Sequence, residues 1–566
     1  MRFSRVGLVA GFFAAATITG ASTLAYAQAT VDPGRAEERY LPPEQAPSVG
    51  APLDVPATAD QKAPEGAASK RFELSSVTFE GNKTLSDAAL QEIAASYVGK
   101  EISLAQVFEL AGKVTAAYRS EGYILARAIV PTQRIENGAV RIRVIEGFID
   151  KVTIQGDAGG AKSLLEEHGQ KIAAIRPLTA DVLERELLLA QDISGLKLRS
   201  VLTPSQTTPG AADLTLVVEP VPFEGFLGFD NRGSKYLGPW EISGAVYAND
   251  VFNTAGRLGL MAVVTPNEGP EAAFGSVTYD QYLNASGLAV HARATHTRTR
   301  PGDTLKTIDT KGEATSFKLG LSYPVVRSRD FNLIASGNVT SRDSKSKNAL
   351  IDPLYDDHIR SADLGVYMNA LDTWGGYSTF TSTFTQGFDI FGASDMSDPA
   401  RSRSNADGTF SSLDFEATHL QPLVGNLSLL LGATGQTSFG ESLLSSEQFG
   451  LGGLYYGRGY DYSEITGDSG LAGKAELQLD AFDGTTHGVF TGMTLYGFYE
   501  GGSVWLSDPL PGENKRESLA SAGVGVRLTA KHGITASVEL AKPLTRDVAA
   551  EQNRDPRLYV ALGISF

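Results

Sequence analysis

One arginine in the C-terminal half of the chain stands in an unusual setting. Residues 454–462 read LYYGRGYDY, which places Arg458 between two glycines and close to four tyrosines. The two glycines let the main chain turn sharply and leave the guanidinium group without bulky neighbours. This setting predicts that Arg458 binds a fixed partner inside the fold. The alternative is an ordinary solvated charge in a glycine-rich loop.

The residue types that carry enzyme chemistry are missing or badly spaced. The chain has no cysteine, which excludes disulfides, thiolate nucleophiles and cysteine metal sites. A strand places His291 and His296 on opposite faces, so the two side chains cannot share a metal ion. The sequence also has no nucleophile elbow and no phosphate loop. We therefore expect no enzyme activity, no cofactor and no metal, and the net charge of −16 argues against a nucleic-acid partner.

The first 70 residues predict an export signal followed by a linker. A basic start, an apolar run from Val6 to Ile18 and the triplet Ala25-Tyr26-Ala27 are typical of a cleaved signal peptide over residues 1–27. Residues 28–70 are rich in Pro, Ala and Glu and cannot bury a core of their own, which indicates a linker. A short helix is predicted inside this linker, around Pro33 to Tyr40.

The next 150 residues predict two small α+β modules, at residues 71–148 and 149–220. In the first module, the stretches FELSSVTFEG, YILARAIVP and AVRIRVIEG alternate as strands, and Ser86 and Ser103 begin two helices between them. The same β-α-α-β-β order recurs in the second module. Each module has one sheet edge that is open to a further strand.

Residues 221–566 predict a transmembrane antiparallel β-barrel. Strand after strand alternates, and in KAELQLDA one face is aliphatic while the other carries Lys, Glu, Gln and Asp. Lipid outside and water inside explain this contrast. About 345 residues, at roughly 21 per strand and turn, give about 16 strands. The last stretch, RLYVALGISF, ends on Phe566, which we expect to face lipid on the closing strand and to serve as a signal for barrel assembly.

These pieces together resemble the outer-membrane transporters of two-partner secretion, the haemolysin- and haemagglutinin-secretion proteins of Gram-negative bacteria. The first module is similar to a polypeptide-transport-associated (POTRA) domain of that family. The stretch YRSEGYILARAIVPTQRIENGAVRIRVIEG carries the pattern of that domain, and the barrel entry FDNRGSKYLGPW is similar to the family's first strand and loop. The resemblance assigns cargo recognition to Tyr118, Gly122, Tyr123, Pro131, Gln133 and Glu146.

The resemblance also implies a partner for Arg458. In the family, a long loop folds into the lumen, and its Arg-Gly-Tyr motif meets an acid on the barrel wall. The matching residues here are Arg458, Gly459 and Tyr460 in the loop and Phe498, Glu500 and Gly502 on the wall. Gly457 replaces the family's usual aliphatic residue, and glutamate replaces aspartate. The alternation along this strand turns Glu500 into the lumen, and its longer side chain can still accept two hydrogen bonds from a guanidinium group.

The function implied is an outer-membrane pore with its modules in the periplasm. It would capture a large, unfolded, β-rich partner exoprotein and move it to the cell surface. Its other expected partners are outer-membrane lipid and the barrel-assembly machinery. A barrel-assembly insertase of the same superfamily is the main alternative. A passive porin has no use for two periplasmic modules, and an outer-membrane enzyme needs a catalytic set that the sequence lacks.

Overall fold

The structure is a computed structural model that describes residues 31–41, 61–267, 269–509 and 513–566, with only the main chain of 483–487. The predicted signal peptide and residues 42–60 of the predicted linker lie outside the described residues. Within the described ranges, no helix is both long and apolar enough to cross a membrane.

The N-terminal described segment, residues 31–41, is named the plug segment here because it lies inside the barrel. It begins with a short 3-10 helix, Pro33–Arg35, and continues as α1 (Ala36–Tyr40). The Asp32 side chain caps the start by accepting a hydrogen bond from the Gly34 N–H at 2.9 Å. This is the short helix that the sequence predicts within the linker.

The first module folds around a three-stranded sheet with two helices on one side. Its sheet has the order β2-β5-β4, in which β5 pairs with β2 in parallel and with β4 in antiparallel. Ser103 and Gln106 form the predicted capping box at the start of its second helix. The elements are β1 (Arg71–Glu73), β2 (Ser76–Glu80), α2 (Asp87–Ala94), β3 (Glu101–Ser103), α3 (Leu104–Ser120), β4 (Arg127–Ile129) and β5 (Ala139–Ile145).

Two predicted strands of the first module differ in the structure. The stretch FELSSVTFEG is broken at the buried Leu74, and its first part, β1, pairs with β3 instead of joining the main sheet. The stretch YILARAIVP contributes only the three residues of β4. The residues before β4 form turns, in which the Tyr123 N–H donates to the Tyr118 carbonyl and the Ala126 N–H donates to the Tyr123 carbonyl.

The second module repeats the arrangement and rests on the barrel. Its elements are β6 (Ile149–Gln155), α4 (Lys162–Ala174), α5 (Ala180–Gln191), β7 (Leu196–Pro204) and β8 (Ala212–Pro220), with the sheet order β6-β8-β7. At the end of α5, Asp192 accepts two hydrogen bonds from Arg327 of the barrel, at 2.7 and 2.8 Å. This bidentate pair joins the module to a turn at the near rim of the barrel.

Sixteen antiparallel strands form a closed barrel, which confirms the predicted fold class and strand number. A short helix, α6 (Asp303–Lys306), lies between β13 and β14. The barrel strands are β9 (Phe223–Asp230), β10 (Glu241–Val251), β11 (Gly256–Val264), β12 (Ala272–Tyr282), β13 (Ala289–Thr299), β14 (Lys311–Arg327), β15 (Phe331–Lys347), β16 (Tyr355–Leu371), β17 (Tyr377–Gly387), β18 (Ser411–Pro422), β19 (Leu427–Thr437), β22 (Ser469–His487), β23 (Phe490–Trp505), β24 (Arg516–Ala530), β25 (Ile534–Pro543) and β26 (Arg557–Ser565).

The segment between β19 and β22, residues 438–468, is named the inward loop. It contains a small hairpin of β20 (Phe449–Leu451) and β21 (Ile465–Gly467) and packs inside the barrel instead of leaving the rim. Tyr460 near its tip is 1% exposed. The inward loop and the plug segment therefore share the lumen.

Candidate functional site

The tip of the inward loop places Arg458 against the barrel wall. Gly457 adopts a φ of +89°, which only glycine reaches without strain, and turns the chain just before the arginine. Gly459 lies so close to the wall that a Cβ there would be 2.8 Å from the Pro543 nitrogen. The Tyr460 hydroxyl follows, and it donates to the Ala520 carbonyl at 3.1 Å. Both glycines are thus required by the path of the loop.

Three glutamates from three strands surround the Arg458 guanidinium. Its Nε donates to Glu500 Oε2 at 3.1 Å, and its Nη1 donates to Glu476 at 2.8 Å and to Glu539 at 3.1 Å. The main-chain N–H of Arg458 also donates to Glu500. Glu500 thus holds both the side chain and the main chain of the loop tip.

The surrounding wall balances the charge of this cluster. Arg527 donates to Glu476 at 2.8 Å, and Arg232 donates to Glu539 at 3.1 Å. The cluster therefore contains three carboxylates and three guanidinium groups. Because Arg458 and the three glutamates are all 5% exposed or less, removing one member leaves a buried charge without its full compensation.

Aromatic side chains of β23 pack against Arg458 and its acidic partners. The guanidinium carbon of Arg458 lies 3.4 Å from the centre of the Phe498 ring, which is a cation–π contact. Tyr496, two residues earlier on β23, stacks near Phe498 and donates its hydroxyl to Glu539 at 2.9 Å. Gly502 lies on the same strand and pairs with Ala472 of β22.

Asp468, at the end of the inward loop, is a second anchor. It is fully buried and accepts hydrogen bonds from Arg403 at 2.5 Å, from the Leu443 N–H at 3.0 Å and from the Ser507 N–H at 2.8 Å. Leu443 belongs to the inward loop itself, whereas Arg403 and Ser507 belong to two other loops of the far rim. Asp468 therefore ties the base of the inward loop to its neighbours.

Ion pairs and hydrogen bonds tie the plug segment to the wall of the lumen and to the inward loop. Glu37 forms an ion pair with Arg342 of β15 at 3.2 Å, and Arg39 pairs with Glu241 of β10 at 2.5 Å. Arg35 is 2% exposed and donates to Ser463 of the inward loop at 3.1 Å, as well as to the Gln448 carbonyl. The plug segment thus contacts both the barrel wall and the loop that carries Arg458.

In the first module, Tyr118 and Glu146 meet each other. The Tyr118 hydroxyl donates to Glu146 at 3.0 Å, and the same carboxylate oxygen accepts from the main-chain N–H groups of Lys83 at 2.7 Å and Thr84 at 2.8 Å. Burial is the main cause that raises the pKa of Tyr118 to about 12, and the contact with Glu146 is the next largest. Burial also tends to raise the pKa of Glu146, but the hydrogen bonds from Thr84, Lys83 and Tyr118 outweigh it, and the net pKa is lowered.

The other residues assigned to cargo recognition lie around this pair. Tyr123 contacts the Tyr118 ring edge to face, and the Gly122 carbonyl accepts a hydrogen bond from the N–H of Ala180 at the start of α5. Pro131 lies two residues beyond the end of β4. Two residues after Pro131, the Gln133 side-chain amide donates to the Arg141 carbonyl at 2.7 Å and accepts from the Arg141 N–H at 2.8 Å. Gln133 therefore continues the pairing of β5 where β4 has stopped.

Four of the six members of the arginine cluster were not predicted from the sequence: Glu476, Glu539, Arg232 and Arg527. Glu476 lies on the polar face of KAELQLDA, which gives the direction of its side chain but not its position along the barrel axis. The register of β22 with β23, which pairs Glu476 with Phe498, sets that position. Across the residues that the structure describes, no group of three His, Asp or Glu side chains is arranged to hold a metal ion.

The fold combines two α+β modules on one rim of a sixteen-stranded barrel with a loop that folds into the lumen. This combination defines a class of outer-membrane transporter. A family profile for the haemolysin secretion/activation proteins ShlB/FhaC/HecB matches residues 210–528, and a profile for the ShlB-type POTRA domain matches residues 72–147. The chain therefore belongs to the ShlB/FhaC/HecB family of two-partner secretion transporters. It is an outer-membrane protein with its modules in the periplasm.

Individual relatives agree with this assignment. The chain is 22% identical over 526 residues to the heme/hemopexin transporter protein HuxB of Haemophilus influenzae, covering 90% of both chains. It is 24% identical over 474 residues to the outer membrane transporter CdiB of Dickeya dadantii, covering 81% of both. Among solved structures, CdiB from Escherichia coli shares the fold with a TM-score of 0.68 and 20% identity, over 90% of this chain and 94% of that one.

Proposed function

We propose that this transporter captures one large exoprotein in the periplasm as an extended chain and passes it through the barrel once the plug segment has left the lumen. The exported chain adds a strand to an open sheet edge of a module, where main-chain hydrogen bonds give affinity. It then threads the pore unfolded. Folding outside the cell prevents its return, so the pore itself needs no enzyme activity.

The observation that supports this proposal most is how the lumen is closed. The plug segment and the inward loop share the lumen, and ion pairs and hydrogen bonds tie the plug segment to the wall and to the inward loop. When the plug segment leaves, water enters the lumen and solvates the freed ionic and polar groups, whereas the exposed side chains of a buried apolar core gain no such compensation. A lumen closed in this way suits a pore that opens for a passing chain.

The arginine cluster has a different role in the proposal. Arg458 fixes the tip of the inward loop to β22, β23 and β25 at once, so the loop stays against the wall while the plug segment moves. The lumen then keeps a defined opening during export. We therefore expect the pair of Arg458 and Glu500 to set the conformation that is competent for export.

The test compares strains with and without the gene for this chain. Loss of one large protein from the culture medium, with normal amounts of other outer-membrane barrels, is the expected result. A general loss of barrels from the outer membrane would instead support the insertase alternative. Unchanged culture medium and unchanged barrels would contradict both functions.

A further inference from the structure

A short loop near the far rim leaves the barrel wall and returns to it. After β17, the Phe388 N–H donates to the Arg360 carbonyl of β16 at 2.8 Å, and the Ser394 N–H donates to the His358 carbonyl at 2.9 Å. These two carbonyls are only two residues apart on β16, whereas five residues separate the two donors. Residues 389–393 therefore project from the wall between two fixed points, and they are named the lateral loop here.

The lateral loop exposes two large apolar side chains. Phe391 is 87% exposed, and its φ of +49° is a conformation that a bulky side chain rarely adopts. Ile390 beside it is also exposed. In water, these side chains would gain none of the burial that normally stabilises large apolar residues. Apolar side chains exposed in this way mark a contact surface, and the membrane is the apolar medium next to this wall.

A groove of about 710 Å³ lies between the lateral loop and the outer face of the wall. Phe317, Leu319 and Val339 form its sides, and each is more than half exposed on the barrel surface. Two alanines form its floor. Ala294 pairs with Phe317 and Ala362 pairs with Val339, so both alanines face the same side as these exposed partners. Small residues flanked by large ones give the groove its depth.

The groove lies at one edge of the lipid-facing apolar band. The second module contacts the Arg327 end of β14, so the Lys311 end points to the cell exterior. From the modules outward, the outer face of β14 carries Tyr323, Leu321, Leu319, Phe317, Thr315 and Glu313. Thr315, Asp343 and His358 pair across three strands and form a polar row. The apolar band of such a barrel is about 25 Å tall, so a groove directly below this row lies in the outer half of the bilayer.

We propose that the groove binds one acyl chain of lipopolysaccharide, the acylated and phosphorylated sugar lipid of the outer leaflet, and that the headgroup of this lipid contacts the polar side chains next to the groove. Hydrocarbon surrounds the whole barrel, so the hydrophobic effect alone does not select a lipid. Selection comes from the shape of the groove and from the headgroup contacts. This inference goes beyond the proposed function and rests on the location in the outer membrane, not on export.

The polar side chains next to the groove suit a phosphorylated headgroup. Arg298 and Lys345 are exposed, and each lies 3.7 Å from Glu313. This distance is too long for a hydrogen bond, so both cations keep donors for phosphate oxygens. The acid of the polar row, Asp343, is already paired with Arg360 at 2.8 Å. The groove therefore offers an apolar surface to the acyl chain and cationic donors to the headgroup.

Filling the groove is the change that tests the inference. Ala294→Trp places a large ring between Phe317 and the lateral loop. Ala433→Trp is the matched control, because Ala433 lies on β19 two residues after the exposed Leu431 and so faces lipid on another part of the wall. Phe391→Ala is a milder variant that removes part of the cover and leaves the floor unchanged. Heat-modifiable mobility checks that each barrel is folded.

The binding experiment titrates the full chain in detergent with deep-rough lipopolysaccharide, and native mass spectrometry counts the bound lipid. The wild type and Ala433→Trp should each bind one molecule tightly. Ala294→Trp should bind about tenfold more weakly, because the ring overpacks the groove. Phe391→Ala should bind several-fold more weakly, and phosphatidylethanolamine should bind the wild type more weakly than lipopolysaccharide does.

Three outcomes of this titration overturn the inference. The first is equal affinity of the two tryptophan variants for lipopolysaccharide. The second is equal affinity of the wild type for the two lipids, which would mean that the groove takes any acyl chain. The third is a dimer of the wild type that is lost in Ala294→Trp, which would mean that a second copy of this chain occupies the groove.

A second measurement tests the position of the lateral loop in the membrane. The chain has no cysteine, so Phe391→Cys and Ser404→Cys each introduce a single thiol. Both residues are exposed and lie between β17 and β18, but Ser404 is outside the lateral loop. In intact cells, a water-soluble maleimide should label Phe391→Cys several-fold more slowly than Ser404→Cys, because lipid surrounds the lateral loop. Equal labelling rates would mean that the lateral loop lies in water and would overturn the inference.

Discussion

At the scale of single residues, Arg458 has three acidic partners, and removing one acid is a different change from removing the arginine. Without Glu500, the guanidinium still binds Glu476 and Glu539. Without Arg458, three buried acids face two wall arginines and the loop tip loses its anchor. Leaving a buried charge uncompensated costs about 3–5 kcal/mol, so the arginine is the critical member of the cluster.

Arg458→Ala should reduce export at least tenfold, because the loop tip loses its anchor and three buried acids lose part of their compensation. Glu500→Ala should cause a smaller loss. Arg527→Ala is the matched control, because it removes a guanidinium from the same cluster but belongs to the wall strand β24. The measurement is secreted exoprotein divided by folded barrel. Equal losses in Arg458→Ala and Arg527→Ala would mean that lumen charge matters and that pinning of the loop does not.

Glu146 provides a pH-dependent contact within the first module. Its pKa is lowered in the fold, so the stability that it contributes is present above its ordinary pKa, near 4.3, and is lost as the pH falls through the lowered value. Protection of the Lys83 and Thr84 amides from exchange, relative to intrinsic rates, should therefore drop below about pH 4. Glu146→Gln should remove this pH dependence. A wild-type protection profile that stays flat down to pH 3 would contradict the assignment.

At the scale of elements, the plug segment is too short to be a stable helix alone, since α1 has five residues. Its position depends on contacts with the lumen. The ion pairs of Glu37 with Arg342 and of Arg39 with Glu241 supply two of these contacts on different strands. Each ion pair is largely shielded from solvent, so its loss costs more free energy than the loss of an ion pair at the surface.

Glu37→Ala and Arg39→Ala together should raise the open fraction of single channels in planar bilayers several-fold. The reason is that both ion pairs between α1 and the wall are then lost. A control with Glu38→Ala should change the open fraction less, because Glu38 is half-exposed, its ion pair with Arg35 lies within the plug segment, and its contact with the inward loop is a hydrogen bond from the neutral Tyr462 hydroxyl. A double variant with wild-type conductance would show that the remaining contacts of the plug segment, those of Arg35, Ala36 and Tyr40, suffice to hold the plug.

The sequence predicts elements better than it predicts which elements meet. Alternation along β23 correctly turns Tyr496, Phe498 and Glu500 inward, because the direction of a side chain depends only on its own strand. Glu539 lies on β25, two strands away from β23. Its position along the barrel axis depends on two successive strand registers, β23 with β24 and β24 with β25, which local sequence patterns do not encode. For the same reason, nothing in the linker composition predicts that the Gln61 side chain, at the end of the linker, exchanges hydrogen bonds with the main chain of Val130.

At the scale of the whole molecule, the barrel closes at a short seam between its first and last strands. β26 and β9 pair at five positions, whereas β9 and β10 pair at eight. Side chains and the terminus extend the seam at both ends. The Asn231 amide binds the main chain of Leu558 and Val560, and Phe566 exchanges two main-chain hydrogen bonds with Gly225.

Phe566 also explains why residue 225 is a glycine. A Cβ at Gly225 would lie 2.7 Å from the Phe566 ring, and the Phe566 residue as a whole is 67% exposed. Deleting Phe566 should therefore lower the amount of heat-modifiable barrel in the outer membrane several-fold, because the seam loses two hydrogen bonds and the terminal aromatic. Phe566→Ala separates the two causes, since it keeps the main-chain pairing and removes the ring alone. If Phe566→Ala assembles as poorly as the deletion, the ring is the assembly signal. Wild-type barrel levels in the deletion would contradict any role for Phe566 in closing or assembling the barrel.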